Sequence, residues 1–152
     1  MKIPDIKDIM VSHMEASDLD EVLAIEKASF PTPWSENMFL EELYFPLCYD
    51  LVAELDGKIV GYISFIIIID EIHLRNIAIR EDMKRYKIAS KLMCEMFRIS
   101  IEKGASWCTL EVRKSNHFAL GMYKKFGFVI SGVRPRYYSD THEDALIMEK
   151  TI

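Results

Sequence analysis

Between residues 70 and 102 the spacing of apolar positions changes from two to about three and a half. Ile72 and Leu74 alternate with His73 and Arg75, and Ile77-Ala78-Ile79 closes the run, which predicts a strand. From Ile88 onward Ile88, Ala89, Leu92, Met93, Met96, Phe97 and Ile101 fall on one helical face, with Lys91, Glu95, Arg98 and Glu102 elsewhere. A polar loop carrying Lys84, Arg85 and Lys87 joins the two. A cationic loop that runs into a helix start can hold an anion, because free backbone N–H groups and the positive end of the helix dipole point out of it. The same loop also reads as a solvated basic turn.

The rest of the chain divides by the same rules. A short strand is predicted over 10–14, then a helix capped by Ser17 and Asp18 that carries Leu19, Val22, Leu23, Ile25 and Ala28. Phe30-Pro31-Thr32-Pro33-Trp34 breaks it, since proline cannot continue a helix interior. Ser35 caps a second helix with Met38, Phe39 and Leu43 inward, ended by Pro46. Strands over 49–55 and 58–69 are joined by Asp56-Gly57, a dipeptide suited to a tight hairpin turn. Gly104 ends the long helix. A strand over 107–112, a helix from Asn116 to Phe126 stopped by Gly127, and strands over 129–136 and 145–150 around a polar loop at 139–143 complete the order βααβββαβαββ. That order predicts an α/β fold: a mixed, mostly antiparallel central sheet with helices on both faces. Strands flanking the two later helices are expected to run parallel near the centre. A single domain over 1–152 is expected from length.

Composition narrows the function. A net charge of −5 argues against broad nucleic-acid binding, so the local cations suit a small anion better than a polyanion. The three cysteines, Cys48, Cys94 and Cys108, are odd in number and lack Cys-x-x-Cys spacing, which points to free thiols in a reducing compartment. Cys94 and Cys108 stand in apolar surroundings and read as buried structural thiols. The longest apolar segment, 59–69, falls short of the roughly 20 residues a spanning helix needs, and Lys2, Asp5, Lys7 and Asp8 interrupt any signal-peptide pattern. A cytoplasmic protein with no membrane partner is expected. No His/Cys/Asp cluster has metal-ligand spacing.

Three segments share one order: Asn76-Ile77-Ala78-Ile79 with the cationic loop, Leu110-Glu111-Val112-Arg113-Lys114-Ser115-Asn116, and Tyr123-Lys124-Lys125-Phe126-Gly127-Phe128. With the element order they resemble the GNAT superfamily of acyl-CoA-dependent N-acyltransferases, from about Met10 to the C-terminus. Leu-Glu-Val-Arg-x-Ser-Asn, Phe-Pro-x-Pro-Trp-Ser, Asp70-Glu71 and Arg136-Tyr137-Tyr138 are similar to the RimI-type ribosomal-protein-alanine N-acetyltransferases. The resemblance implies that backbone groups of Ile77, Ala78 and Ile79 hold the pantetheine arm of acetyl-CoA. It implies that Arg85, Tyr86, Lys87, Ile88, Ala89 and Ser90 hold its pyrophosphate, and that Asn116 contacts it. Glu111 would be the general base and Tyr123 the general acid. Phe30, Pro31, Trp34, Tyr137 and Tyr138 would wall a peptide site.

The residue types suit that chemistry. An α-ammonium has a pKa of about 7.7–8.0 and must lose a proton before it attacks a thioester. A carboxylate, directly or through water, can take it. An unpaired strand N–H near Ala78 could steady the oxyanion. By pattern alone Glu111 also reads as a salt-bridged structural carboxylate, Tyr123 as a packed helix residue and Tyr137-Tyr138 as ordinary strand aromatics. His73 is an alternative base, on one strand face with Glu71 and Arg75. Lys87 departs from the resemblance, standing where relatives carry a loop glycine. A positive φ there would cost roughly 1–2 kcal/mol; a third phosphate-facing cation is the compensating reading. Gly121 stands where relatives tend to have alanine. The function implied is transfer of acetyl from acetyl-CoA to the N-terminal α-amine of a protein, a ribosomal protein beginning with alanine leading. A lysine or small-amine acetyltransferase and a non-catalytic acyl-CoA-binding module are the alternatives.

Overall fold

The computed structural model describes residues 5–152. The elements are β1 (Met10–His13), α1 (Leu19–Ser29), α2 (Glu36–Tyr44), β2 (Cys48–Leu55), β3 (Lys58–Ile68), β4 (Glu71–Ile79), α3 (Ile88–Glu102), β5 (Trp107–Arg113), α4 (His117–Lys125), β6 (Val129–Tyr138) and β7 (Glu143–Thr151). Their order is the one predicted. Seven strands form one sheet in the order β1-β2-β3-β4-β5-β7-β6. Every neighbouring pair is antiparallel except β4 and β5. The expected parallel relation holds around α3. Around α4 it holds in direction only, because β7 inserts between β5 and β6. Strand β7 bonds β5 along its whole length, from Trp107 to Arg113, and takes β6 on its other edge as a local hairpin.

Helices cover both faces. Ile88, Leu92, Met93 and Met96 of α3 and Leu120 and Tyr123 of α4 pack with Ile63, Phe65, Ile72, Leu74 and Leu110 on one face. Leu19, Val22 and Ile25 of α1 and Phe39 of α2 pack with Val52, Tyr62 and Ala78 on the other. Strand β4 changes faces midway. Leu74 pairs with Phe65 and Asn76 with Ser64, so Arg75 is an extra residue and the strand bulges. Before the bulge Ile72 and Leu74 face α3; after it Ile77 and Ile79 do, while Ala78 faces α1. Gly61 lies opposite Ile79, where an added Cβ would stand 2.8 Å from Ile79 Cδ1 and 3.1 Å from the Ala78 carbonyl oxygen. Only glycine lets β3 approach β4 there. Asp56 and Gly57 both have positive φ, 51° and 77°, and close the β2–β3 hairpin as expected.

Several side chains depart from the periodic expectation. Met38 is exposed, and Glu42 takes an inward place on α2 because Arg75 pairs with it. Ile101 is exposed while Ser100 is buried, since the buried stripe of α3 drifts with a period of 3.6 residues and has turned past Ile101 by the last turn. Cys94 is exposed on the outer side of α3, so only Cys108 is the buried thiol predicted; burial pushes it up to about 12, which leaves it inert. Strand β3 stops at Ile68, and Ile69, with φ 58°, turns the chain in solvent. Asp18 accepts the Glu15 N–H in a 3₁₀ turn ahead of α1 and makes no side-chain cap to the helix. Among the described residues no helix is long and apolar enough to cross a membrane.

Lys87 has φ 60° and ψ 24°, left-handed, at the N-cap of α3. The positive φ considered for this position is therefore present. The Cβ of a left-handed lysine crowds its own carbonyl, a cost that glycine escapes. Lys87→Gly is expected to stabilise the fold by about 1 kcal/mol after glycine's larger chain entropy is subtracted. The midpoint of thermal unfolding should rise by about 2–4 °C; an unchanged or lower midpoint would show that the lysine is not strained.

Candidate functional site

Strands β4 and β5 pair only from Glu71 to Leu74 against Trp107 to Leu110. Beyond Leu74 and Leu110 they part. The stretch Asn76 to Ile79 keeps β3 on one side and has no hydrogen-bonded strand on the other. The result is a V-shaped opening whose wall is a row of free backbone groups, the kind of edge an extended ligand arm can join as an added strand. Ile77, Ala78 and Ile79 all lie on it. At its outer end α3 begins, and the cations expected there divide. Lys84 pairs with Glu81 at 2.7 Å, while Arg85 and Lys87 stay exposed. Tyr86 packs on the core and Ile88 is buried, so these two and Ala89 and Ser90 can offer an anion mainly their backbone N–H groups. Asn116 caps α4, its Oδ1 accepting the Ala119 N–H at 3.2 Å.

Glu111 and Tyr123 lie on opposite faces of the sheet. Leu110 and Val112 of β5 face α3, so Glu111 between them faces the α1 side. Its Oε1 lies 3.2 Å from Arg134 Nε and 4.0 Å from His73 Nε2, and the Tyr137 hydroxyl donates to the carboxylate, which holds that phenol above its ordinary range. Tyr123 lies among Cys108 and Phe128 on the α3 side, its ring 5.7 Å from the Phe128 ring. Burial raises its pKa well above the usual phenol value, so it keeps its proton at neutral pH. His73 shares the face of Glu111, and the bulge at Arg75 breaks the regular alternation expected to set His73, Glu71 and Arg75 on one strand face.

The aromatic walls come together through contacts that sequence reasoning missed. Glu26 on α1 is 1% exposed. It accepts the Trp34 backbone N–H at 2.8 Å, the Asn76 side-chain amide at 2.6 Å and the Tyr62 hydroxyl. One carboxylate thus ties the Phe30–Trp34 turn to β4 at the edge of the opening. Arg75, the bulge residue, lies 5.5 Å from the Trp34 ring and pairs with Glu42. Across the opening, β6 bulges between Arg134 and Tyr138, with Arg136 at φ 53°. That bulge aims Tyr137 at Glu111. Arg113 forks onto Asp140 at 3.0 and 2.7 Å and lies 4.0 Å from the Tyr138 ring. Thr32 Oγ1 then donates to Asp140 Oδ2 at 2.9 Å, joining the α1–α2 turn to the β6–β7 turn over the face that carries Glu111. The Arg113 guanidinium holds the Asp140 carboxyl well below the usual carboxylate range. Partners so far apart in the chain leave no local signal. Among the described residues no three His, Cys, Asp or Glu side chains are grouped to hold a metal.

Beneath this wall Asp50 on β2 is buried opposite Ser64 on β3, near Glu42 and Arg75. Asp50 Oδ1 and Ser64 Oγ have no hydrogen-bond partner. Burial pushes the Asp50 carboxyl up to about 6, with the Ser64 hydroxyl and Arg75 opposing and Glu42 adding to the rise. Between its ordinary value near 4 and about 6, folded Asp50 keeps a proton that the unfolded chain has lost. Stability therefore falls as pH rises through that window. Asp50→Asn is expected to remove this decline and to be more stable at pH 7 by roughly 2 kcal/mol. Urea denaturation between pH 4 and pH 7 checks it; parallel pH curves for the two proteins would refute it.

The sequence profile of the acetyltransferase (GNAT) family matches residues 19–128. A Bacillus subtilis (strain 168) protein, provisionally named a [ribosomal protein bS18]-alanine N-acetyltransferase, is 41% identical over 143 residues, 93% of this chain and 95% of its own. The Escherichia coli (strain K12) [ribosomal protein bS18]-alanine N-acetyltransferase is 32% identical over 91% of this chain and 94% of its own. The crystal structure of the ribosomal-protein-S18-alanine N-acetyltransferase from Escherichia coli superposes with a TM-score of 0.86 at 29% identity, covering 95% of this chain and 94% of that one.

Proposed function

This chain belongs to the acetyltransferase (GNAT) family, and on that premise we propose that it acetylates the N-terminal α-amine of a protein, with a ribosomal protein beginning with alanine as the acceptor. Acetyl-CoA supplies an activated thioester. The single observation that carries the reading is a carboxylate, Glu111, at the parting of β4 and β5 and beneath two turns joined by Thr32 and Asp140. An acceptor reaches such a carboxylate end-on, as a chain terminus does. The names of the two relatives from Bacillus subtilis and Escherichia coli favour alanine and bS18. The reaction would take place in the cytoplasm, where newly made ribosomal proteins meet acetyl-CoA.

Each residue has a task in this reading. The free edge from Ile77 to Ile79 holds the pantetheine arm, and the backbone from Arg85 to Ser90 holds the pyrophosphate. The strained Lys87 sets the first turn of α3 in the required direction and adds a cation. Glu111 takes the proton of the α-ammonium, directly or through a water, and His73 at 4.0 Å can pass it on to solvent. The freed amine attacks the thioester carbonyl. A backbone N–H near Ala78 receives the charge on oxygen. Tyr123, which burial keeps protonated, gives its proton to the departing sulfur. Phe30, Pro31, Trp34, Tyr137 and Tyr138 line the way in, and Asn116 has its side-chain amide nitrogen left to reach the donor.

Mass spectrometry tests the acceptor class. With acetyl-CoA and two short peptides, one with a free N-terminal alanine and no lysine and one N-terminally blocked with an internal lysine, only the first should gain an acetyl group. Acetylation of the second alone would make this a lysine acetyltransferase, and silence on both would leave an acyl-CoA-binding module or a small-amine enzyme.

Glu111→Gln tests the base. Turnover is expected to fall by about 10²–10⁴-fold, with coenzyme A affinity kept as read by calorimetry. Unchanged turnover would remove Glu111 from the role.

A further inference from the structure

Glu111 already has a cation on it. Arg134 Nε, from β6, stands 3.2 Å from its Oε1, on the carboxylate oxygen that would also receive an acceptor ammonium. The other charged and titratable groups near Glu111 are His73 on β4, Tyr137 and Tyr138 on β6, and Arg113 two residues along the same face of β5. Arg113 is committed to Asp140 and Glu143. Arg134 has no second carboxylate partner among the described residues, and its side chain is 54% exposed. Its guanidinium lies 5.8 Å from the Tyr137 ring. The backbone after it is stiff, with Pro135 and the left-handed Arg136, whose N–H donates to Asp144 Oδ1 at 3.0 Å. A fixed backbone under an exposed, singly paired side chain allows the guanidinium to leave without moving the strand.

We propose that Arg134 is a displaceable counter-ion of Glu111, which holds the carboxylate until an acceptor ammonium replaces it and returns once the amine has become a neutral amide. The inference rests on Glu111 being the acceptor's proton-taking group. Two cations compete for one carboxylate oxygen, so Arg134 weakens the apparent affinity for a charged acceptor. The acetylated product carries no charge at its end and does not compete for the carboxylate, so its affinity is independent of Arg134. Arg134 is in this sense a positioning residue that acts through Glu111.

The test uses steady-state kinetics with the lysine-free peptide that begins with alanine, and calorimetry with its acetylated form. Arg134→Ala is expected to lower the acceptor KM by about two- to fivefold, the span of an exposed ion pair. The KM for acetyl-CoA and the affinity for the acetylated peptide should stay as they were. Arg134→Lys keeps the charge and should return the acceptor KM most of the way to wild type. A raised KM in Arg134→Ala would mean that the arginine grips the peptide, and an unchanged KM that it does nothing to the acceptor; either overturns the displacement. Equal tightening for the acetylated peptide would show steric relief instead and also overturn it. Wild-type silence on the peptide would overturn the N-terminal reading and this inference together, whereas wild-type turnover with any of the three contrary results overturns only the inference.

Discussion

The parting of β4 from β5 is the constraint on which the rest of the structure depends. A strand in the middle of a sheet ordinarily has its N–H and C=O groups bonded on both sides, and a buried polar group left unpaired is costly. Here four residues, Asn76 to Ile79, give up one side. The bulge at Arg75 accompanies this, because it re-aims β4 where its β5 partner ends and exchanges which residues face α3 and which face α1. The opening is thus built into the register of the sheet, and a ligand with the hydrogen-bonding pattern of an extended chain is its natural complement.

Polar side chains make the opening rigid. Glu26 would be an expensive residue to bury alone, but its three donors come from the turn after α1, from β3 and from β4. The donors span the elements that must keep a fixed separation if the acceptor wall is to face the donor edge. Arg75 does the same from the bulge, between Glu42 and the Trp34 ring. Such networks hold one geometry well when every member is satisfied. The neighbouring Asp50 and Ser64, with buried atoms lacking partners, fall short of that, and the raised pKa of Asp50 is the physical sign.

The two sides of the sheet differ in character. Glu111 sits on a face lined with arginines, a histidine and tyrosine hydroxyls. Tyr123 sits in the apolar core on the other face, where desolvation keeps its proton in place. The sheet thus separates a charged, partly exposed face from a dry one.

The eleven-element order and the βαβ unit at the centre were legible in the sequence, because periods of 2 and 3.6 and the positions of Pro, Gly and caps are local properties, whereas the candidate site residues came from the resemblance of the motifs. The resemblance marked Lys87 as standing where a glycine is usual, and the structure gave the reason, a left-handed φ of 60°. Tertiary structure decided what local patterns cannot carry. The insertion of β7 between β5 and β6 depends on which free edge a distant hairpin meets. The inward turn of Glu42 and the outward turn of Met38 depend on a cation 33 residues away from Glu42, on β4. Thr32 and Asp140 are 108 residues apart, and Tyr62 and Asn76 stand 36 and 50 residues from Glu26. Charge and hydrogen bonding act through space at a few ångströms, so their partners can be recognised only after the sheet has brought them together.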